Sequence, residues 1–229
     1  GGVLAVAGDD HACKSSTLPS QSEYAFQDFE MPVLSPADVQ EVLDYGLMGI
    51  AMSRFSGLWV GLIALADTMD SGATIDVSIG RHRPVSPANF QLPAGGLGIR
   101  LKDQPLEKER RLRNFKIPAA LAFAKANRID RVVLGAARPR LGLVCQGQAY
   151  KDVIEALAAM GLTPQQAAGL GIAIYKVGMP WPLEPTGLRA FAAGLETLMV
   201  IEHKRPLIET QARAALYDLP AHARPRVIG

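Results

Sequence analysis

Short apolar runs and segments of helical periodicity alternate along the first part of the chain. Val3–Ala7 and Leu58–Leu65 are apolar runs of the length and composition typical of buried parallel strands. Met31–Leu34 is a shorter extended piece between them. The order strand, loop, helix, strand predicts a parallel sheet with a right-handed crossover.

The helix of this first unit has both a start signal and an apolar face. Ser35 can cap the helix, Pro36 suits its first turn, and Asp38 stands where a capping-box carboxylate reaches back. We therefore predict a helix from Ser35 to about Ser53. Its apolar face is expected to consist of residues that recur at helical spacing: Val39, Val42, Leu43, Leu47 and Ile50.

The last part of the chain repeats the alternation of strand and helix. Four apolar runs predict strands at Leu141–Cys145, Ile172–Val177, Thr197–Ile201 and Arg226–Ile228. Helices are predicted at Tyr150–Met160, with Val153, Ile154, Leu157 and Met160 on its buried face, and at Pro185–Ala193 and Pro206–Tyr217, with a helical turn at Gln165–Ala168. The fold class predicted from this pattern is α/β, with two Rossmann-like parallel-sheet units.

Between the two units lies a proline-interrupted, charged segment. Residues 102–116 hold six Lys or Arg against three Asp or Glu. This stretch is either a solvated linker or a phosphate-contacting segment at a subunit interface, and Pro118–Ala126 is predicted to be a short helix. The predicted organisation is a first unit at 1–79, a linker or insert at 80–139 and a second unit at 140–229.

Composition narrows the class of protein further. The chain has 229 residues, is 48% hydrophobic and carries a formal charge of +2, which does not indicate strong nucleic-acid binding. No apolar stretch reaches the ~18 residues of a membrane span, and no signal peptide is evident, so we expect a cytoplasmic protein without a membrane partner. Cys13 and Cys145 can form one long-range disulfide, but two free thiols are favoured.

The loop after the first strand concentrates reactive side chains within residues 8–17. Lys14 and the neighbouring hydroxyls suit a carboxylate or phosphate oxygen, and His11 can donate a proton. The alternative is a hydrated loop whose Asp and Ser side chains cap local backbone groups. No spacing typical of a metal site occurs. The candidate residues of this loop are Asp9, Asp10, His11, Lys14, Ser15 and Ser16.

Two further loops belong to the second unit. The turn at Gln146–Gly147 joins a strand to a helix and can face an anion with its backbone N–H groups, but it lacks the full GxGxxG pattern, and a plain tight turn is the favoured interpretation. Glu202 and Arg205 stand between a strand and a helix, where they can pair with each other or across an interface.

Taken together, four stretches resemble the indolepyruvate (2-oxoacid) ferredoxin oxidoreductase family. The stretches are Gly1–Glu23 (GGVLAVAGDDHACKSSTLPSQSE), Trp59–Val77 (WVGLIALADTMDSGATIDV), Leu141–Leu162 (LGLVCQGQAYKDVIEALAAMGL) and Glu202–Tyr217 (EHKRPLIETQARAALY). The resemblance implies that residues 1–79 form the later half of a thiamine pyrimidine-binding domain. It implies a transketolase C-terminal-like domain from about residue 140 onward.

The resemblance also implies a function. Members of this family oxidatively decarboxylate 2-oxo acids, especially aryl pyruvates, to acyl-coenzyme A. They use thiamine diphosphate, Mg²⁺ and iron–sulfur clusters and pass electrons to ferredoxin. The loop from Asp9 to Ser16, together with Gln21 and Glu23, would then lie near the substrate and cofactor cleft. No specific catalytic role is assigned to any of these residues.

Departures from the family pattern limit what this chain is expected to do alone. No Gly-Asp-Gly…Asn motif for Mg²⁺-diphosphate occurs, cluster-ligating cysteines are missing, and the early segment with the pyrimidine-facing glutamate is not part of this sequence. We expect part of a larger, homo-oligomeric enzyme, inactive by itself, with exposed apolar surface around strand 3–7. The alternative is a non-catalytic module that binds coenzyme A or another nucleotide, or that assembles subunits.

Overall fold

The first sheet consists of three parallel strands with the longest apolar run at its centre. The computed structural model describes residues 1–78, 80–81 and 83–229. In the order of the sheet the strands are β1 (Leu4–Asp9), β3 (Val60–Leu65) and β2 (Val33–Leu34). The predicted parallel sheet is confirmed, while the proposed boundary at Ile79 lies outside the described residues.

The outer edge of β1 pairs with no other strand in the part of the chain that the structure describes. Val6 is 61% exposed on this strand, and Val3 is 36% exposed just before it. The exposed apolar surface predicted around residues 3–7 is therefore present. An unpaired, partly apolar strand edge is a surface on which another strand can pair.

Helix α2 (Val39–Ser56) corrects the predicted start and end of the first long helix. Asp38, not Ser35, is the N-cap, and its carboxylate accepts the Glu41 N–H at 3.0 Å. The Ser35 N–H instead donates to the Gly178 carbonyl at 2.9 Å. Because this bond holds residue 35 in an extended segment against the second unit, the helix begins later. It continues to Ser56.

The buried face of α2 also differs from the predicted one. Tyr45, Met48 and Met52 are buried in a core shared with Phe123, whereas Leu47 is 52% exposed. The other predicted face residues, Val39, Val42, Leu43 and Ile50, are only partly buried. Two apolar stripes lie side by side on this helix, and packing against a second helix selected the one rich in methionine.

The remaining helices of the first unit are short. They are α1 (Glu23–Asp28) and α3 (Ala66–Met69). Helix α1 lies over the sheet through Phe26, which is buried with Val33, Ile63 and Leu65. The sheet is thus covered on one side by α1 and on the other by α2.

The second sheet has five strands and includes one that the sequence did not indicate. Strand β4 (Arg131–Leu134) is antiparallel to its neighbour β6, because it enters the sheet from the linker side. Its apolar run, Val132–Leu134, is only three residues long, which is why the pattern missed it. The order is β4-β6-β5-β7-β8, and the parallel strands are β5 (Leu141–Gln146), β6 (Ile172–Val177), β7 (Thr197–Ile201) and β8 (Arg226–Ile228).

Four helices connect the strands of this sheet: α6 (Gly147–Ala159), α7 (Pro164–Gly169), α8 (Pro185–Ala192) and α9 (Leu207–Tyr217). Helix α6 begins three residues before the predicted start. Val153 and Leu157 are buried on it, but Ile154 is 40% and Met160 65% exposed, so the predicted face is too wide. None of the helices in the described residues has the length and apolar character of a membrane span.

The charged segment between the units is largely helical. It comprises α4 (Pro105–Arg111), a π-helical turn at Leu112–Lys116 and α5 (Ile117–Ala126), which contains the predicted short helix. Three of its cations have carboxylate partners within the chain: Arg110 with Glu107 at 2.8 Å, Arg113 with Glu30 at 2.8 Å and Arg111 with Asp103 at 3.5 Å. This internal neutralisation favours a structural role over a phosphate-contacting one.

Buried polar contacts fix the two units against each other. The Glu41 carboxylate of α2 accepts from Lys176 on β6 and from Arg131 on β4, the latter at 3.0 Å. The Val33 N–H donates to the Trp181 carbonyl at 2.7 Å. Since these partners come from different units, the relative position of the two units is set by side-chain and backbone bonds together.

Gly178 provides the first test of this packing. A Cβ at this position would lie 2.6 Å from the Ile129 carbonyl oxygen and would also collide with the Tyr45 hydroxyl. We expect Gly178→Ala to lower the free energy of unfolding by about 1–3 kcal/mol through overpacking. Urea denaturation measures this. Gly72→Ala, where nothing lies within 4 Å, is the matched control, and equal stabilities of the two variants would contradict the expectation.

Candidate functional site

A polar cleft lies where the carboxyl ends of both sheets meet. His11 follows β1 of the first sheet and His203 follows β7 of the second, and their rings stand edge to face with centroids 5.7 Å apart. Ligand sites of open α/β sheets lie at this edge of the strands. The cavity beside the two rings has a volume of about 400 Å³ and is lined by His11, Ala12, Lys14, Asp67, Gln148, Asp152 and His203.

Two side-chain pairs hold the residues of this cleft. The Lys14 ammonium lies 2.5 Å from the Asp67 carboxylate at the start of α3. His203 Nε2 lies 2.6 Å from the Asp152 carboxylate on α6. Lys14 keeps 64% of its side chain exposed, so its ammonium can turn toward a ligand in the cavity without leaving a buried position.

Asp10 organises the loop rather than facing the cavity. Its carboxylate accepts the backbone N–H groups of Lys14 at 2.9 Å, Ser15 at 2.7 Å and Ser16 at 2.8 Å. These hydrogen bonds, the one from Ser15 foremost, lower the pKa of Asp10 to about 2. The interpretation of a loop whose polar side chains cap local backbone groups therefore describes Asp10, Ser15 and Ser16. The loop that they shape presents His11 and Lys14.

Asp9 and Glu23 form a buried acidic pair under His11. Both Asp9 oxygens accept from Ser22, one from its N–H and one from its hydroxyl, each at 2.8 Å. Glu23 is completely buried, and neither of its carboxylate oxygens has a well-formed hydrogen bond; its own N–H and the Gln21 side chain are the donors that act on it. Burial is the main cause that raises the pKa of Glu23 to about 7.

The position of His11 links this pair to the cleft. Burial, and next the neighbouring His203, lower the pKa of His11. Its ring nitrogens are buried without a hydrogen-bond partner. One ligand atom from each of Asp9, His11 and Glu23 lies within 4.8 Å of the others. Among the described residues, these three side chains form a group that could hold a metal ion.

Gln21 and Arg205 join the two units beside the cleft. The Arg205 guanidinium donates from Nε to Gln21 Oε1 at 2.9 Å and lies 4.1 Å from the ring centroid of Tyr24. Glu202 instead accepts the N–H groups at the start of α9, with the Ile208 N–H at 2.8 Å. Arg205 therefore acts across the interface, and Glu202 caps a helix.

The turn at Gln146–Gly147 faces the first unit. Gly147 has a φ of +47°, and a Cβ there would lie 2.6 Å from the Ser35 hydroxyl. Gln146 is buried at the end of β5, and its side-chain oxygen has no hydrogen-bond partner. The next residue, Gln148, lines the cavity. The close approach of Ser35 explains glycine at position 147 without an anion.

The sequence did not single out three residues of the cleft, His203, Asp152 and Asp67. His203 lies between Glu202 and Arg205, which the sequence did indicate, so proximity to them was a usable signal. Asp152 and Asp67 gave no signal, because a single carboxylate on a helix is ordinary surface chemistry. Only the packing of the two sheets brings these residues to His11 and Lys14.

Comparison with known proteins bears on the same region. Residues 131–229 match the sequence model of the indolepyruvate oxidoreductase domain. Indolepyruvate oxidoreductase subunit IorA of Methanothermobacter thermautotrophicus is 26% identical over 235 residues, which cover 97% of this chain and 35% of that protein. The resemblance to the indolepyruvate oxidoreductase family is confirmed.

A second relative of the same family agrees. Subunit IorA of Pyrococcus horikoshii is 24% identical over 240 residues, covering 95% of this chain and 33% of that protein. The chain thus spans about a third of the length of the curated relatives that it matches. The match to the indolepyruvate oxidoreductase domain begins at β4, and His203, Asp152 and Gln148 lie within the matched residues.

Solved structures share the fold. The chain superposes on a 2-oxoglutarate:ferredoxin oxidoreductase from Magnetococcus marinus with a TM-score of 0.54 at 14% identity, covering 99% of this chain and 45% of that one. A split-gene transketolase gives a TM-score of 0.50 at 13% identity, with 99% and 56% covered. The predicted α/β class with a transketolase C-terminal-like unit is confirmed.

Proposed function

We propose that this chain is the part of a thiamine-diphosphate-dependent 2-oxoacid oxidoreductase that binds the carboxylate end of an aryl pyruvate in the cleft between His11 and His203. The observation that carries the proposal is the meeting of two imidazoles, one from each sheet, at the edge where α/β enzymes bind ligands. The family resemblance supplies the reaction class.

The side chains of the cleft suit a small anionic substrate with a carbonyl. Lys14 is exposed enough to leave Asp67 and pair with a carboxylate. His203 Nε2 faces Asp152, so Nδ1 of the protonated ring is the atom that can donate a hydrogen bond to the adjacent keto oxygen. The cavity volume of about 400 Å³ is within the range of small-molecule sites.

The cofactors of the family do not fit the residues of this chain. A four-thiolate iron–sulfur cluster needs more thiols than the two present. The sequence also holds no Gly-Asp-Gly…Asn segment for Mg²⁺ and the diphosphate. In this proposal thiamine diphosphate, Mg²⁺, the clusters, ferredoxin and coenzyme A are bound by other parts of the parent enzyme, and the chain alone has no turnover.

Titration of the purified chain with indole-3-pyruvate, followed by histidine NMR resonances, tests the proposal. We expect saturable shifts of the His11 and His203 resonances, and a loss of affinity of at least tenfold, about 1.4 kcal/mol, in Lys14→Ala and in His203→Asn. His222→Asn, on the exposed turn at Ala221–Ala223, is the control. Binding that both cleft variants retain would overturn the proposed site.

The same protein preparation separates the proposal from the coenzyme A alternative. Thermal-shift titrations with coenzyme A, and separately with thiamine diphosphate and Mg²⁺, are expected to leave the Tm unchanged. A rise in Tm at micromolar coenzyme A would favour the nucleotide-binding module. Reduction of a viologen dye by the chain with indole-3-pyruvate, coenzyme A, thiamine diphosphate and Mg²⁺ would contradict the expected lack of turnover.

A further inference from the structure

We propose that Asp9, His11 and Glu23 form a binding site for a divalent transition-metal ion, distinct from any metal bound with a diphosphate. Three ligand atoms of the preferred types, two carboxylate oxygens and one imidazole nitrogen, lie within 4.8 Å of one another. The site stands under the cleft, with His11 common to both. The inference does not depend on the proposed function.

Chain geometry brings the three residues together. Asp9 is the last residue of β1, His11 follows two residues later, and Glu23 is the first residue of α1. The loop between them is closed at its base by two bonds, from the Asp10 N–H to the Ser20 hydroxyl at 2.9 Å and from the Ser20 N–H to the Asp10 carbonyl at 3.1 Å. The three ligands are therefore held by backbone structure.

Glu23 is the observation that calls for a ligand. It is 0% exposed, and neither oxygen of its carboxylate has a well-formed hydrogen bond; its own N–H and the Gln21 side chain are the donors that act on it. A buried carboxylate without a cationic partner is costly, and proteins ordinarily pair it or give it to a metal. The His11 ring nitrogens are likewise buried without a hydrogen-bond partner. Glu23 and His11 therefore both lack a well-formed partner, and one cation bound between them would supply it to both.

The Asp9 carboxylate, unlike that of Glu23, is oriented by well-formed hydrogen bonds. It is 3% exposed, and its bonds from the Ser22 N–H and hydroxyl fix the orientation of the carboxylate. Hydrogen bonds that orient a metal-coordinating side chain in this way are usual in protein metal sites. Each carboxylate oxygen still has a lone pair for an ion.

Charge around the cluster favours a cation. Glu202 and Asp9 both act on Glu23 as like charges, while His203 and, next, Lys204 act on His11 as groups that disfavour its protonation. With Asp10 alongside, acidic groups outnumber basic ones. An ion of charge +2 would relieve the repulsion between the buried carboxylates and hold both of them ionised.

The ligand set selects the class of ion. Imidazole suits zinc, copper, iron and nickel, whereas calcium and magnesium prefer oxygen ligands alone. Ligands at about 2.0–2.2 Å from zinc lie ~3–4 Å apart, so the cluster contracts by on the order of 1 Å as the ion enters. Three protein ligands leave a further position open, and His11 puts that position beside the cavity.

Calorimetry of the EDTA-treated chain with Zn²⁺ alone tests the site, without any 2-oxo acid. We expect one ion per chain with a Kd in the micromolar range or below, and weakening of at least tenfold in Glu23→Gln and in His11→Asn. Glu23→Gln removes the unpaired buried charge and is expected to fold at least as well as the wild type. Co²⁺ should bind to the same stoichiometry and develop visible absorption bands, which Glu23→Gln loses.

Control variants remove the competing explanations. Cys13→Ser and His203→Asn remove nearby soft or imidazole ligands, and both are expected to keep the wild-type affinity for Zn²⁺. Binding that survives Glu23→Gln and His11→Asn, or that is abolished by Cys13→Ser, would overturn the assignment. So would the absence of any saturable heat with Zn²⁺ and of any Co²⁺ spectrum.

Discussion

Glu41→Gln is expected to lower the free energy of unfolding by about 3–5 kcal/mol, the usual cost of breaking a buried ion pair by removal of one partner. Lys176 on β6 is 2% exposed, and Glu41 on α2 of the first unit is its carboxylate partner. The same carboxylate accepts from Arg131 at 3.0 Å and from the Ala37 N–H at 3.0 Å. Removal of the Glu41 charge leaves the buried Lys176 ammonium without its carboxylate partner.

A second substitution makes the origin of this loss measurable. In the double variant Glu41→Gln, Lys176→Met the buried ammonium is gone as well, and we expect more than half of the lost stability to return. Glu155→Gln, on the exposed face of α6, is the control and should stay within about 0.5 kcal/mol of the wild type. Urea unfolding of the four proteins gives the comparison. Equal stability of Glu41→Gln and Glu155→Gln would refute the role of the pair.

Asp130→Asn is expected to flatten the dependence of stability on pH. Burial raises the pKa of Asp130 from its ordinary value of 3.8 to about 7, and Glu184 opposes ionisation further. In the wild type the unfolded chain loses this proton near pH 4 and the folded chain near pH 7. The contribution of Asp130 to the free energy of unfolding is therefore fully present below pH 4. It falls by up to about 4 kcal/mol as the pH rises to 7.

The asparagine keeps the structural bonds of this site. Asp130 Oδ1 accepts the Gly178 N–H at 2.8 Å and the Met179 N–H at 2.9 Å, and an amide oxygen can accept both. Unfolding free energies of wild type and variant should converge near pH 4 and separate above pH 7, with the variant more stable. Asp218→Asn, at the exposed end of α9, should follow the wild type. Parallel curves for Asp130→Asn and wild type would rule out the linkage.

The strands were the most predictable part of this protein. β6, β7 and β8 begin and end at the predicted residues, because continuous apolar runs between turns leave few alternatives. Helix faces were less predictable. On α2 the sequence offers more than one apolar stripe, and contact with Phe123 of α5 buries Met48 and Met52.

For the candidate site, the local sequence indicated the loop but not which contacts each of its side chains makes. Asp9, Asp10, His11 and Lys14 are adjacent in sequence, yet Asp10 binds the loop backbone, Lys14 and His11 reach the cavity, and Asp9 points to Glu23. The order of side-chain directions along an irregular loop has no fixed period, so spacing alone could not separate these roles.

What the sequence by itself determined is the alternation of strands and helices, the parallel class of the sheets and the family resemblance, because each rests on residues close together in the chain. The tertiary structure alone decided that His203 and Asp152 meet the loop after β1, that Lys176 has a carboxylate partner 135 residues away, and that β4 adds an antiparallel strand. These contacts depend on how two sheets dock, which is set by the summed packing of many side chains rather than by any local pattern.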